Sequence, residues 1–137
     1  MSFNFTQYSP EEELASLPRD YTIEHALSNN DIVYDLNMTY NMAGFYNFLV
    51  NVNHGISDKV RITYYESDGS AAVSILHYDG NIIRFVTDAS RLGIDEYYDV
   101  SGYQIVSQTI SIQGRVLEEY ILITEDNKHV RIFHIFL

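Results

Sequence analysis

Residues 41–66 carry a helix signal, a stop signal and a strand signal in immediate succession. Apolar side chains recur there at intervals of three and four residues: Met42, Phe45, Leu49 and Val52. This spacing predicts an amphipathic helix over residues 42–53, with Asn41 as its cap. Gly55 ends the helix, because glycine readily adopts the left-handed conformation found just past a helix end. Residues 59–66 then alternate polar with apolar side chains, as a half-buried strand does, so we expect a helix packed on a sheet.

Two shorter helices are predicted near the N-terminus. Ser9 is a suitable cap, a proline follows it, and the acidic residues 11–13 favour the helix dipole, so we expect a first helix over residues 10–17. The same three acids can also be interpreted as an acidic docking patch. Thr22 is typical of the cap of a second helix over residues 23–29.

Alternating apolar residues and turn signals mark seven candidate strands: residues 32–38, 59–66, 72–78, 81–87, 103–112, 115–124 and 129–137. Asp79-Gly80 between two of them is a strong hairpin signal. The elements predict an α+β fold, in which one main helix and one or two short N-terminal helices pack on one face of a mostly antiparallel, curved sheet of about six or seven strands. We expect residues 1–20 to form an N-terminal extension with a short helix, and residues 21–137 to form a single α+β domain.

The charge of the chain limits its partners. There are 19 acidic and 8 basic residues, a formal net charge of −11, which opposes binding to the phosphate backbone of nucleic acids. The chain has no cysteine, so disulfides and thiolate metal sites are excluded. No run approaches the roughly 18 apolar residues of a transmembrane helix. We expect a soluble protein, cytoplasmic or, if a leader has been removed, extracytoplasmic.

Residues 88–99 are the candidate site. They form the longest irregular segment and supply carboxylates, a serine and backbone carbonyls, which are the hard oxygen ligands that calcium prefers. The candidate metal ligands are Asp88, Asp95 and Asp99. The match to an EF-hand loop is partial, because Leu92 stands where an oxygen ligand is needed, and a solvated loop is the alternative. The neighbouring residues Glu96, Tyr97 and Tyr98 form a candidate contact surface.

Motifs of catalysis are missing from the sequence. There is no Gly-x-Ser-x-Gly elbow, no glycine-rich phosphate loop and no pair of histidines four residues apart on a helix. We therefore expect no cofactor and no dedicated catalytic residue.

A set of short motifs in collinear order points to a family. It includes Asp58-Lys59-Val60-Arg61-Ile62, Tyr78-Asp79-Gly80 and Thr87-Asp88-Ala89-Ser90-Arg91. Over residues 21–94 the chain resembles an uncharacterised family of small proteins from Gram-positive bacteria, a domain of unknown function often found behind a lipoprotein leader. The resemblance implies a compact bacterial α+β domain acting at the outer face of a membrane, and it implies no activity.

These observations favour a non-enzymatic binding or protein-interaction module that uses an exposed sheet face and residues 88–99. One alternative is a small-ligand carrier or enzyme with a pocket between the main helix and the sheet. Another is an acidic inhibitor whose carboxylates imitate a polyanion. The observations permit an unknown protein as partner, and exposed edge strands would permit a homodimer.

Overall fold

The fold consists of three α-helices and eight strands within residues 8–36, 38–93 and 97–137, the parts of the chain that the computed structural model describes. The helices are α1 (Pro10–Ser16), α2 (Ile23–Ser28) and α3 (Met42–Asn53). The strands are β1 (Ile32–Asp35), β2 (Met38–Tyr40), β3 (Asp58–Tyr65), β4 (Ala71–Tyr78), β5 (Ile83–Asp88), β6 (Tyr97–Ile112), β7 (Arg115–Thr124) and β8 (His129–Phe136). A 3₁₀-helix, Ser90–Leu92, follows β5. None of the helices in these residues is long and apolar enough to cross a bilayer.

All eight strands belong to one mixed sheet with the order β2-β1-β3-β4-β5-β6-β7-β8. The expected α+β character is confirmed, but the expected count of about six or seven strands in a mostly antiparallel sheet is wrong. The single predicted strand over residues 32–38 is split, because Leu36 has a positive φ of 47° and turns the chain into a β1–β2 hairpin. The crossover through α3 then places β3 parallel to β1.

The helices begin largely as their sequences predict. The Ser9 side chain accepts a hydrogen bond from the Glu12 amide, and Thr22 forms a capping box with His25. Asn41 differs from expectation, because it has a left-handed backbone and its side chain makes no capping bond. Its amide instead donates to the carbonyl oxygen of Asp31 at 2.8 Å, which ties the start of α3 to the start of β1.

Apolar cores lie on both faces of the sheet, so the expectation that all helices pack on one face is wrong. On the concave face, Phe45 and Phe48 of α3 are fully buried against β3, β4 and the last two strands. On the opposite face, Leu14 of α1 and Ala26 of α2 cover β1, β3, β4 and β5. The strands permit this because successive side chains point to opposite faces and both sets are apolar, as in β4.

The sheet is curled so strongly that β8, at one end of the strand order, contacts β1 and β3 near the other end. The Tyr64 hydroxyl of β3 donates to the carbonyl oxygen of Ile132 in β8. The Tyr34 hydroxyl of β1 lies 3.2 Å from Nε2 of His134, also in β8. Burial raises the pKa of Tyr64 far above its ordinary value, so the hydroxyl stays protonated as a donor. The result is a half-barrel with α3 inside it.

Gly102 lies where β6 leaves β5 and where its register against β7 shifts. A Cβ at this position would lie 2.3 Å from the carbonyl oxygen of Ile123 and 2.8 Å from Cδ1 of Leu122. Both distances are shorter than a real contact allows, so a larger residue has to displace β7.

We expect Gly102→Ala to lower the free energy of unfolding by about 1–3 kcal/mol through this overpacking. Gly44→Ala is the matched control: it sits inside α3 with nothing within 4 Å of the added Cβ. That variant should gain about 0.5–1 kcal/mol from the loss of glycine's chain entropy. Urea unfolding of the two variants and the parent measures both changes, and equal stabilities for Gly102→Ala and the parent would contradict the close approach.

Candidate functional site

A groove runs along the concave face of the sheet, where α3 does not reach. Its floor is made of small side chains, since Ala72, Ser74 and Thr87 project from β4 and β5 toward the concave side. In the next row of the same face the side chains are Leu76 and Phe85, which face each other across the two strands and belong to the core under α3. The change from large to small side chains leaves the groove open.

The polar atoms of the floor satisfy each other. Ser74 and Thr87 are directly opposite in the β4–β5 ladder, and their hydroxyl oxygens are 2.7 Å apart. Ser74 is fully buried, so this hydrogen bond removes the free-energy penalty of an unpaired hydroxyl. The floor is therefore compatible with an apolar occupant.

Aromatic and aliphatic side chains form the walls. Tyr64 lines the groove next to Ala72, and Tyr98 of β6 lies opposite Thr87 at the other side of the floor. Val130, Arg131 and Ile132 of β8 form the facing wall, and the Arg131 side chain pairs with Glu119 at 3.5 Å. The groove is open to solvent, and its volume of about 350 Å³ is within the range of ligand clefts in proteins.

A second depression of about 410 Å³ continues from the first, and Tyr98 and Val130 line both. Its other lining includes the turn between β7 and β8, where Glu125, Asp126 and Lys128 lie. Lys128 pairs with Asp126 at 3.4 Å. Two carboxylates against one ammonium group leave this end of the groove with an acidic rim.

The candidate residues of segment 88–99 are divided between the two faces. Tyr98 reaches the groove, whereas Asp88, Tyr97 and Asp99 share the opposite face of β5 and β6, because residues facing each other in an antiparallel pair point to the same side. The two remaining candidates, Asp95 and Glu96, lie outside the described residues.

Asp88 and Asp99, the two candidate calcium ligands within the described residues, each pair with an arginine. Asp88 accepts from the Ser90 amide at 2.9 Å and from Arg91 at 3.3 Å, and Asp99 pairs with Arg84 at 2.7 Å. Burial would raise the pKa of Asp88, but the bonds from Ser90 and the charge of Arg91 outweigh it and lower the pKa. Among the described residues, no group of three or more histidine, aspartate and glutamate side chains is arranged to hold a metal ion.

A second polar constellation, which the sequence did not reveal, joins α1 to the face of β3 opposite the groove. Glu13 pairs with Lys59 and, at 2.9 Å, with Arg61. Arg61 also pairs at 2.8 Å with the buried Asp31, whose carboxylate accepts from Thr63 at 2.8 Å and from a tyrosine of the α1–α2 connection. We call these side chains the Glu13–Arg61–Asp31 cluster.

The Glu13–Arg61–Asp31 cluster borders a cleft of about 230 Å³. Burial would raise the pKa of Glu13, but hydrogen bonds from Lys59 and Tyr8 and the charges of Lys59 and Arg61 hold it below its ordinary value. Burial also disfavours the charge on Arg61, yet the charge and hydrogen bond of Asp31, together with the charge of Glu13 and the nearby Tyr21, outweigh it and raise the pKa of the guanidinium group. Each charged group of the cluster has an opposite charge beside it, so the cluster is suited to attaching α1 rather than to catalysis.

We expect Glu13→Gln to lower the free energy of unfolding at pH 7 by about 1–3 kcal/mol, since it removes a charged acceptor from Lys59 and Arg61. The Glu13 pKa is depressed by folding, so its contribution is complete above the unfolded value of 4.5 and is lost as the pH falls through the lower folded value. The deficit of the variant should therefore shrink in acid. Urea unfolding at pH 7 and near pH 3 measures it.

Glu12→Gln is the control for this experiment, because Glu12 is exposed and precedes Glu13 in the same helix turn. It should change stability by less than about 0.5 kcal/mol. If Glu13→Gln lowers the free energy of unfolding no more than Glu12→Gln does, the ion pairs of Glu13 do not stabilise the fold.

The family model described as "Domain of unknown function (DUF4362)" matches residues 29–115, which include the groove floor and most of the residues that carried the expected resemblance. The searches of curated proteins and of solved structures gave no match. Because the matched region covers more than half of the 137 residues, the chain belongs to the family of domains of unknown function DUF4362.

Proposed function

We propose that this protein is a non-enzymatic binding module that takes an apolar segment of a basic partner protein into its concave groove. The observation that carries the proposal is the groove itself, whose small floor leaves about 350 Å³ unfilled. Its walls are mainly apolar and aromatic, with one charged residue, Arg131, among Tyr64, Tyr98, Val130 and Ile132. Apolar clefts with a few polar groups are the usual form of a recognition site.

Charge supports a basic partner over a neutral one. The chain carries a formal net charge of −11, and Glu125 and Asp126 stand at the end of the groove. The two cations of the lining, Lys128 and Arg131, are each paired with a carboxylate of the same chain. A field of one sign speeds the approach of a partner of the opposite sign and opposes partners of the same sign. An apolar side chain flanked by lysine or arginine fits both the groove and its rim. The resemblance to lipoprotein-like relatives adds the expectation that binding takes place at the outer face of a membrane.

The two alternative functions have less support. A ligand pocket between the main helix and the sheet requires space under α3, where Phe45 and Phe48 are fully buried. Imitation of a polyanion requires free carboxylates in a row, whereas Glu11 and Asp99 both pair with Arg84 and Glu13 pairs with Lys59 and Arg61.

Peptide selection tests the proposal. Displayed random peptides selected on the protein should be enriched in sequences with a large apolar residue flanked by lysine or arginine.

Ala72→Phe fills the floor of the groove opposite Tyr64, so it should weaken binding of an enriched peptide by at least about tenfold. Fluorescence anisotropy measures the affinity, which should also fall as salt screens the charges.

The matched control is Ala43→Phe, which adds the same side chain to an exposed position of α3. It should bind the peptide as the parent does. Selection without enrichment, or equal affinities for Ala72→Phe and Ala43→Phe, would mean that the groove is not a binding site.

A further inference from the structure

The second half of β6, the longest strand, has a neighbouring strand on one side only. β6 pairs with β5 only as far as Gly102, opposite Ile83, and residues 104–112 pair with β7 alone. Within the described parts of the chain, no strand pairs with the other side of residues 104–112. These nine residues, which we call the β6 edge, therefore present a row of backbone amides and carbonyls to a further strand.

The β6 edge lacks the features that usually prevent strands from pairing between molecules. Natural edges are short or carry lysine, other charges or proline. Residues 101–114 contain no charged residue and no proline, in a chain of which 20% is charged. The exposed members of the edge are neutral: Gln104, Ser107, Gln108, Thr109, Ser111 and Ile112.

The central residues of the edge, 106–110, match their own reverse around Gln108, whereas Ile105 and Ser111, the next pair outward, differ in residue class. Ser107 and Thr109 on either side are both small hydroxyl residues, and Val106 and Ile110 beyond them are both β-branched and apolar. Two identical strands that pair antiparallel about a two-fold axis bring each residue opposite its symmetry-related position. An axis at Gln108 would place Val106 of one copy opposite Ile110 of the other and Ser107 opposite Thr109.

We propose that the β6 edge is a homodimer interface, in which two copies of this chain pair antiparallel about Gln108 and join their sheets. The occupant is a second copy because the central residues 106–110 are matched in residue class to their own reverse and carry no charge. Pairing is also compatible with the charge of the chain: two copies of net charge −11 repel each other, and contact through uncharged strands keeps their carboxylates out of the contact. The interface is independent of the groove, which lies on the concave face between β3, β4, β5 and β8.

The variant Gln108→Lys should weaken pairing between two copies without disturbing the fold of either copy. The Gln108 amide donates to Oε1 of Glu119 across the β6–β7 ladder at 3.1 Å, so a lysine at this position keeps a favourable partner within its own chain. In the dimer, however, Gln108→Lys would place two ammonium groups directly opposite each other. Like charges in that position destabilise a strand pair, and we expect the dimer dissociation constant to rise at least about fivefold.

Asn53→Lys is the control, because it changes the net charge equally at an exposed position at the end of α3. Sedimentation equilibrium of the full chain over a concentration series measures the association of the parent and both variants. The proposal expects dimers of the parent and of Asn53→Lys, and weaker dimerisation of Gln108→Lys with an unchanged unfolding transition. Hydrogen exchange should show concentration-dependent protection of the amides in residues 104–112.

Two results would overturn the proposal. A parent chain that stays monomeric at every concentration would leave the edge to a strand of another protein or to solvent. Dimers of Gln108→Lys that are as tight as those of the parent would locate the interface on another surface.

Discussion

The curl of the sheet depends on the contact between the rings of Phe45, Tyr120 and Phe133. Phe45 meets each of the other two rings edge to face, with centroids 4.8 Å apart, and so joins the crossover helix to the last two strands. Aromatic pairs of this geometry stabilise beyond the area that they bury. The same core includes Phe48 of α3, Leu122 of β7 and Ile132 of β8, so the three rings are the centre of a continuous apolar contact between α3 and the last two strands. The groove lies beyond this contact, where small side chains of β4 and β5 replace the large ones under α3.

The two faces of the sheet hold their helices by different means. α3 is held by large aromatic side chains, whereas α1 has seven residues and buries only Pro10 and Leu14. A helix that short is marginal by itself, so ion pairs supply what its apolar face cannot. Glu11 reaches Arg84 on β5 and Glu13 reaches Lys59 and Arg61 on β3. The acids that begin the helix are therefore also its attachment to the sheet.

Local signals predicted the elements better than their arrangement. The main helix has the predicted bounds, Met42–Asn53, because the apolar period and the glycine stop act within one segment. The β1–β2 hairpin was missed because it depends on Leu36 adopting a positive φ, which a leucine gives no reason to expect. The groove floor was also missed: Ala72, Ser74 and Thr87 are unremarkable alone, and only the register of β4 and β5 makes them neighbours. Glu13 and Lys59 are 46 residues apart, so no sequence pattern could pair them.

β3 and β4 contribute to both cores at once. Ile62 and Leu76 face α3, while Tyr65, Val73 and Ile75 of the same two strands face α1 and α2. Loss of either helical layer would expose one side of strands whose other side is still buried, so the two layers should melt in one cooperative transition. The distal end of the β6–β7 hairpin is different, because most of its side chains are exposed and few belong to a core. Within the described residues, this end of the hairpin is therefore a place where we expect sub-global opening, the fraying of one region while the remainder stays native.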